Sequence, residues 1–181
     1  MNKYIAKRGD GCFTIAEESS GWFGVTAADN DDPLMFTYKQ NNCWTKDFLE
    51  FMGTDPLFRK GEYYKLTYGM LYNYGEDFML SLNHDDFREK AFVDMVSGSD
   101  EKAHLSDIKA ALGFMYAHPG SKMFAAGQDA GLEKFMSELN KFYAKNAALY
   151  ELDNDPDGFM WLENSNPEET VIAMQRAGQQ G

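Results

Sequence analysis

The chain has 181 residues and a formal net charge of −12, from 29 acidic against 17 basic side chains. A surface this acidic repels phosphate backbones and anionic lipid, which excludes nucleic acid and anionic membrane as partners and suits a neutral one such as a sugar polymer. The length suffices for one ordinary domain with a real core, but is short for a complete (β/α)8 barrel of about 250 residues.

No run of about 18 apolar residues exists, so no membrane span is expected. The start, Met1 to Arg8, lacks the apolar core and cleavage pattern of a secretory signal. Cys12 and Cys43 have no metal-ligand spacing, which points to a reduced, cytoplasmic protein with ordinary thiols. No cofactor and no metal is expected. Aromatics make up 15% of the chain, which serves either a large core or stacking against sugar rings.

Residues 1–8 read as a helix tail. Phe13 to Ala16 is a short apolar run stopped by Glu17-Glu18-Ser19-Ser20, the signature of a buried parallel strand. A loop rich in Gly and Asp follows, and Phe36-Thr37-Tyr38 is a second candidate strand. Trp44, Phe48, Leu49 and Met52 fall at helical spacing, with Thr45 as a plausible N-cap. Leu66, Met70, Leu71 and Tyr74 suggest another helix. Phe78 to Leu82 is a clear strand ending in Asn83-His84-Asp85-Asp86.

Leu105, Ile108, Leu112, Met115 and Tyr116 form an amphipathic stripe with Ser106 near its start, stopped by His118-Pro119-Gly120. His118 suits a helix C-terminus, where a cation or ring donor is favourable. Lys122 to Gly127 is a further strand. Leu132, Phe135, Leu139, Phe142 and Tyr143 mark what reads as the longest helix. After Asp153-Asn154-Asp155-Pro156-Asp157-Gly158 the pattern changes to two antiparallel strands, Phe159 to Leu162 and Val171 to Met174. The acidic stretch imitates half of a calcium loop, but Asn164 holds its last ligand position and Pro156 interrupts it. A plain turn is the simpler reading.

Alternating strands and helices predict an α/β fold with a parallel sheet, where residues just past a strand sit on the catalytic edge. Glu17 with Glu18, and Asp85 with Asp86, occupy such positions. Two carboxylates from different strands can cleave a glycosidic bond. On spacing alone, 17–18 reads more readily as a solvated acidic loop and 84–86 as a capping pair.

Six segments in order add a resemblance. Ile15-Ala16-Glu17-Glu18-Ser19-Ser20-Gly21-Trp22-Phe23-Gly24-Val25-Thr26 and Tyr38-Lys39-Gln40-Asn41-Asn42-Cys43-Trp44 come first. Asp55-Pro56-Leu57-Phe58-Arg59 and Leu66 to Tyr74, the latter leading to Glu76, Phe78 and His84-Asp85, follow. Gly113 to Lys122 and Glu151 to Leu162 complete the set. Together, over roughly residues 13–176, they resemble the second half of the catalytic barrel of glucan branching enzymes, members of the alpha-amylase superfamily. Gln40 stands where that family has Trp, and Cys43 where it has Gly.

The resemblance implies the second half of a (β/α)8 barrel over residues 1–152 and the start of an incomplete all-β domain over 153–181. It implies Glu17 as acid/base, Asp85 as transition-state stabiliser, His84 as a binder of sugar hydroxyls, and Trp22, Lys39 and Trp44 as substrate contacts. The implied reaction cleaves an α-1,4-glucan, holds the fragment on an Asp nucleophile and passes it to a 6-hydroxyl. The strand bearing that nucleophile has no counterpart here, so the chain alone is expected to be inactive, with an N-terminal half-barrel as its partner. The alternatives are a non-catalytic glucan-binding remnant and a protein-interaction module.

Overall fold

The computed structural model describes residues 1–26, 34–83, 90–125 and 131–179. His84 and Asp85 lie outside the described residues. Helix α1 (Asn2–Arg8) precedes two short strands, β1 (Ile15–Ala16) and β2 (Tyr38–Gln40). Helix α2 (Asn42–Gly53) follows immediately, because Asn41 turns the chain and caps it by accepting from Trp44 N at 3.0 Å. Thr45, the expected cap, is instead buried inside the helix. Its hydroxyl donates to Ser81 O at 2.6 Å and ties α2 to the sheet.

The expected helix over 66–74 is broken into a short α3 (Tyr64–Thr67) and two 3-10 turns, Tyr68–Leu71 and Asn73–Gly75. Gly69 explains part of this. A Cβ there would lie 3.3 Å from Trp44 Cδ1, so the backbone itself packs on the indole. Strand β3 (Phe78–Leu82) comes next, then α4 (Phe92–Met95) and α5 (Glu101–Ala117). Asp100 caps α5 by accepting from Ala103 N at 2.9 Å. Ser106 is interior to it. At 17 residues α5 is longer than the 13-residue α6 (Glu133–Lys145), against the expectation from apolar spacing. The first turn of α5, Glu101 to His104, is polar and carries no stripe, so its length was not visible in the pattern.

Strand β4 (Ser121–Phe124) joins β1, β2 and β3 in one parallel sheet of order β1-β2-β3-β4. Strands β5 (Phe159–Asn166) and β6 (Val171–Arg176) form a separate antiparallel hairpin, each longer than the sequence suggested. The mixed α/β expectation holds: a parallel sheet with crossover helices and a small antiparallel sheet. The core lies between the sheet and its helices and includes Trp44, Phe48, Leu80, Leu82, Leu112 and Met115. Burying such side chains contributes about 1.5–3 kcal/mol each.

The hairpin is locked to this unit by Arg176. Its guanidinium donates to Asp153 Oδ1 at 2.6 Å, to Gly158 O at 3.0 Å and to Ala117 O, the end of α5, at 3.0 Å. Asp153 and Asp155 are therefore used within the fold: the first pairs with Arg176, and the second accepts from Asp157 N at 3.0 Å in a tight turn. Gly158 is required there, since a Cβ would fall 2.3 Å from Leu152 O. Among the described residues no helix is long and apolar enough to cross a membrane.

Candidate active site

Parallel strands all end on one edge, and the residues that follow them share it. Glu17 follows β1, Gln40 ends β2, and Asn83 follows β3. The pleat then divides neighbours between two faces. Ala16 is paired with Lys39, and Lys39 with Phe78, so these three share a face. That is the helix-covered face, which also carries Leu80 and Leu82 of the core. Ile15, Tyr38, Gln40 and Met79 take the other face, and continuing the alternation carries Glu17 with them and Glu18 with Lys39.

The side-chain bonding matches this division. Glu18 meets Lys39 Nζ at 3.0 Å, accepts from Trp22 N at 3.0 Å, and accepts from both the amide and hydroxyl of Ser20. The Ser20 hydroxyl first, and Lys39 second, hold its carboxyl down at about 2, far below the usual glutamate value. Glu18 is thus an ionised clamp. Glu17, one residue earlier, is exposed and makes no such bonds among the described residues. The acidic pair therefore splits into one structural and one free carboxylate.

Lys39 is buried, with its ammonium donating to Trp22 O at 2.6 Å as well as meeting Glu18. It holds the loop after β1. A second clamp lies a few residues on. Buried Glu76 accepts from Val25 N at 3.0 Å, from Thr26 N at 2.8 Å and from the Thr26 hydroxyl. Burial works to raise the Glu76 pKa, but the Thr26 and Val25 donors outweigh it and keep it below the usual range. Neither clamp was singled out from the sequence. The signal was present in the odd-even spacing of 16, 18 and 39, but only a known strand register makes it readable.

Trp22 is 65% exposed, so its ring is open to a ligand. Trp44 is 2% exposed and stacks on Phe48 at 4.6 Å between centroids, with His118 5.8 Å away. α2 turns the Trp44 indole into the helix–sheet interface, where it packs in the core. Gln40 accepts from Asn83 Nδ2 at 3.3 Å, linking the ends of β2 and β3. Beside Glu18, a cavity of about 350 Å³ is lined by Lys39, Asn41, Tyr68, Tyr72 and Phe78 among others. Cys12 and Cys43 are both exposed free thiols. Among the described residues no three His, Cys, Asp or Glu side chains gather as metal ligands.

The comparisons with known proteins bear on this edge of the sheet. At 32% identity, 98% of the chain aligns with 31% of the length of 1,4-alpha-glucan branching enzyme GlgB 2 from Clostridium perfringens (strain 13 / Type A). At 34% identity, all of it aligns with 28% of 1,4-alpha-glucan branching enzyme GlgB 1 from Xanthomonas campestris pv. campestris (strain 8004). At 32% identity, 97% of it aligns with 28% of 1,4-alpha-glucan branching enzyme GlgB from Cereibacter sphaeroides. The chain is a homologue of one segment of the 1,4-alpha-glucan branching enzymes. It spans about three-tenths of the length of these relatives. No family model matches it.

Several motifs of the branching-enzyme resemblance prove to be structural. Arg59, which ends the Asp-Pro-Leu-Phe-Arg segment, is buried and donates to Thr54 O, Met52 O and Ser97 O, and pairs with Asp107 at 2.8 Å. It closes the C-terminal end of α2 against α5. His118 is fully buried, and its Nδ1 lies 2.8 Å from Pro119 O. A carbonyl only accepts, so Nδ1 carries the proton and Nε2 is left as an unpaired acceptor. Burial lowers its pKa to about 3 and keeps it neutral. The donors at the end of α5 are instead Arg176, to Ala117 O, and Lys122, to His118 O.

Proposed function

We propose that this chain carries the acid/base half of a branching-enzyme active centre, with Glu17 as the proton donor and acceptor and an α-glucan as substrate. The observation that carries the reading is the asymmetry of the two adjacent glutamates. Glu18 is tied down by Lys39, Ser20 and the Trp22 amide, and Glu17 is left exposed at the ends of the parallel strands. A general acid must reach the leaving oxygen, and a carboxylate spent on an internal ion pair cannot.

In this reading residues 1–152 are the second half of a (β/α)8 barrel, and 153–181 begin an all-β domain. His84 and Asp85, which come directly after Asn83 in the sequence, take the roles the resemblance gives them: His84 binds sugar hydroxyls and Asp85 stabilises the oxocarbenium-like state. The reaction cleaves an α-1,4 bond, retains the fragment on an Asp nucleophile and transfers it to a 6-hydroxyl. Glu17 protonates the departing chain and then deprotonates the incoming hydroxyl. Water must lose to the sugar acceptor in the second step, and positioning of that acceptor supplies several kcal/mol through effective molarity. Trp22, exposed on the loop held by Lys39, offers a ring for sugar stacking.

The nucleophile strand comes from an N-terminal half-barrel, so the chain alone is inactive. The cytoplasm, where glycogen is built, is the proposed location. The test is complementation in trans. The chain is mixed with a separately expressed N-terminal half of a branching enzyme, and new α-1,6 linkages are counted by debranching and chain-length analysis. The expected result is activity in the mixture only, lost in Glu17→Gln and retained in Glu17→Asp at a reduced level. Activity of the mixture that survives Glu17→Gln would remove Glu17 from the mechanism.

A further inference from the structure

A second concave surface lies between the segment Tyr64 to Tyr74 and the hairpin. It has a volume of about 460 Å³, and Glu17 does not line it. Two of its features decide what it can hold. None of its eleven lining residues is charged, although 25% of the chain is Asp, Glu, Lys or Arg. The lining is largely apolar, with Met70, Leu71, Phe159 and Met160, but Tyr64, Tyr68, Tyr74 and Trp161 add rings with polar tips, and Thr67 and Asn164 a hydroxyl and an amide.

The walls are fixed to each other. Tyr63 OH donates to Val171 O at 2.6 Å, and Lys60 pairs with Glu168 at 2.9 Å, so the turn segment and the hairpin are joined from behind. A preformed groove loses little order on binding. Tyr64 is 56% exposed and Tyr68 53%, so large aromatic area stands ready at this surface. Tyr68 also lines the cavity beside Glu18 and so stands between the two hollows.

We propose that this groove is a saccharide-binding site that takes an uncharged chain of glucose units away from Glu17. A pyranose ring has two apolar C–H faces and a rim of hydroxyls, the complement of flat rings edged by tyrosine, threonine and asparagine donors and acceptors. An anionic or cationic ligand would find no counter-charge in the groove, and an aliphatic one would leave its amide and hydroxyl groups unpaired. The neutral-saccharide class rests on the groove alone. The choice of α-1,4-linked glucose rests on the function proposed above.

The test is calorimetric titration of the chain with maltoheptaose and, as the β-linked control, cellohexaose. Tyr64→Ala and Tyr68→Ala remove exposed rings and should leave the circular dichroism spectrum unchanged, and Leu71→Asn, at a 79% exposed position, is a third variant of the same groove. Maltoheptaose is expected to bind at least tenfold more weakly to Tyr64→Ala, Tyr68→Ala and Leu71→Asn, and with unchanged affinity to Glu138→Gln, an exposed α6 position that lines neither hollow. In NMR its shifts should centre on Tyr64, Tyr68 and Trp161. Absence of binding, or binding that the groove variants leave within twofold of wild type, overturns the site. Equal binding of cellohexaose overturns the α-glucan assignment and leaves the neutral-saccharide class standing. Because the groove is read by binding and NMR shifts at Tyr64, Tyr68 and Trp161, and the active edge by branching in trans, failure of one proposal is distinguishable from failure of the other.

Discussion

The ammonium of Lys39 lies 3.0 Å from the Glu18 carboxylate, across two strands that pair in parallel. This ion pair spans 21 positions in sequence and holds the loop that carries Trp22. Glu18 has a folded pKa of about 2 against 4.5 for a free glutamate. A depressed carboxylate contributes stability above its unfolded value and loses it as pH falls toward the folded one. The loop should therefore loosen between about pH 4.5 and pH 2. Amide exchange of Ser20 and Trp22, whose N–H groups bond Glu18, is the direct measurement. In Glu18→Gln the same amides should exchange fast at every pH. Equal protection in wild type and variant at pH 6 would show that the pair does not hold the loop.

His118 predicts a second pH effect with a different window. Its folded pKa is about 3, and the unfolded imidazole titrates near 6.5. Between those values the unfolded chain binds a proton that the folded chain does not. Stability from this group is intact above pH 6.5 and falls with acidity at about 1.4 kcal/mol per pH unit. Urea unfolding at pH 7, 6 and 5 should show that slope in wild type, and a shallower one in His118→Gln by the same amount. Parallel slopes for both chains would mean that the buried ring accepts a proton without cost.

Arg176 joins the hairpin to the rest of the protein through Asp153, Gly158 O and Ala117 O. Arg176→Met removes one partner of a buried ion pair and strands Asp153. The expected loss is about 3–5 kcal/mol in chemical unfolding. Arg176→Lys should recover little, since an ammonium cannot reproduce the three-directional fork. A loss below about 1 kcal/mol for Arg176→Met would show that the hairpin is held by packing alone.

The two tryptophans near the loop separate packing from exposure. Trp44→Ala opens a hole beside Phe48 and should cost about 3–5 kcal/mol. Trp22→Ala, at a 65% exposed position, should stay within about 0.5 kcal/mol of wild type. If the two variants unfold at the same denaturant concentration, the placement of Trp44 in the core fails.

Gly158→Ala offers a sharper steric check. Its Cβ would overlap the backbone carbonyl of Leu152, which cannot swing away as a side chain can. Overpacking of this kind costs about 1–3 kcal/mol. Thermal unfolding should show it, and an unchanged midpoint would contradict the close approach of 152 and 158.

Much of the architecture is legible in the residue order. Phe78 to Leu82 is apolar except for Ser81, as a parallel strand covered on both faces should be, and β3 occupies that run. His118-Pro119-Gly120 stops α5 because proline cannot continue a helix and Gly120 adopts φ 107. The order of motifs was enough to find the branching-enzyme relatives. The stretch 66–74 has helical apolar spacing yet is broken into a short helix and 3-10 turns, since Gly69 lets the backbone press onto Trp44, a side chain far away in sequence. What Glu17 and Glu18 do separately is absent from any local pattern. Two adjacent acids are chemically alike until a strand partner is assigned, and the register of β1 against β2 decides which of them faces Lys39. The same holds for Trp44, whose burial follows from the sheet behind α2. The sequence by itself determined the alternation of elements, because periodicity is local. Only the tertiary structure decided which carboxylate is free, because that depends on hydrogen bonding between strands that the chain order does not specify.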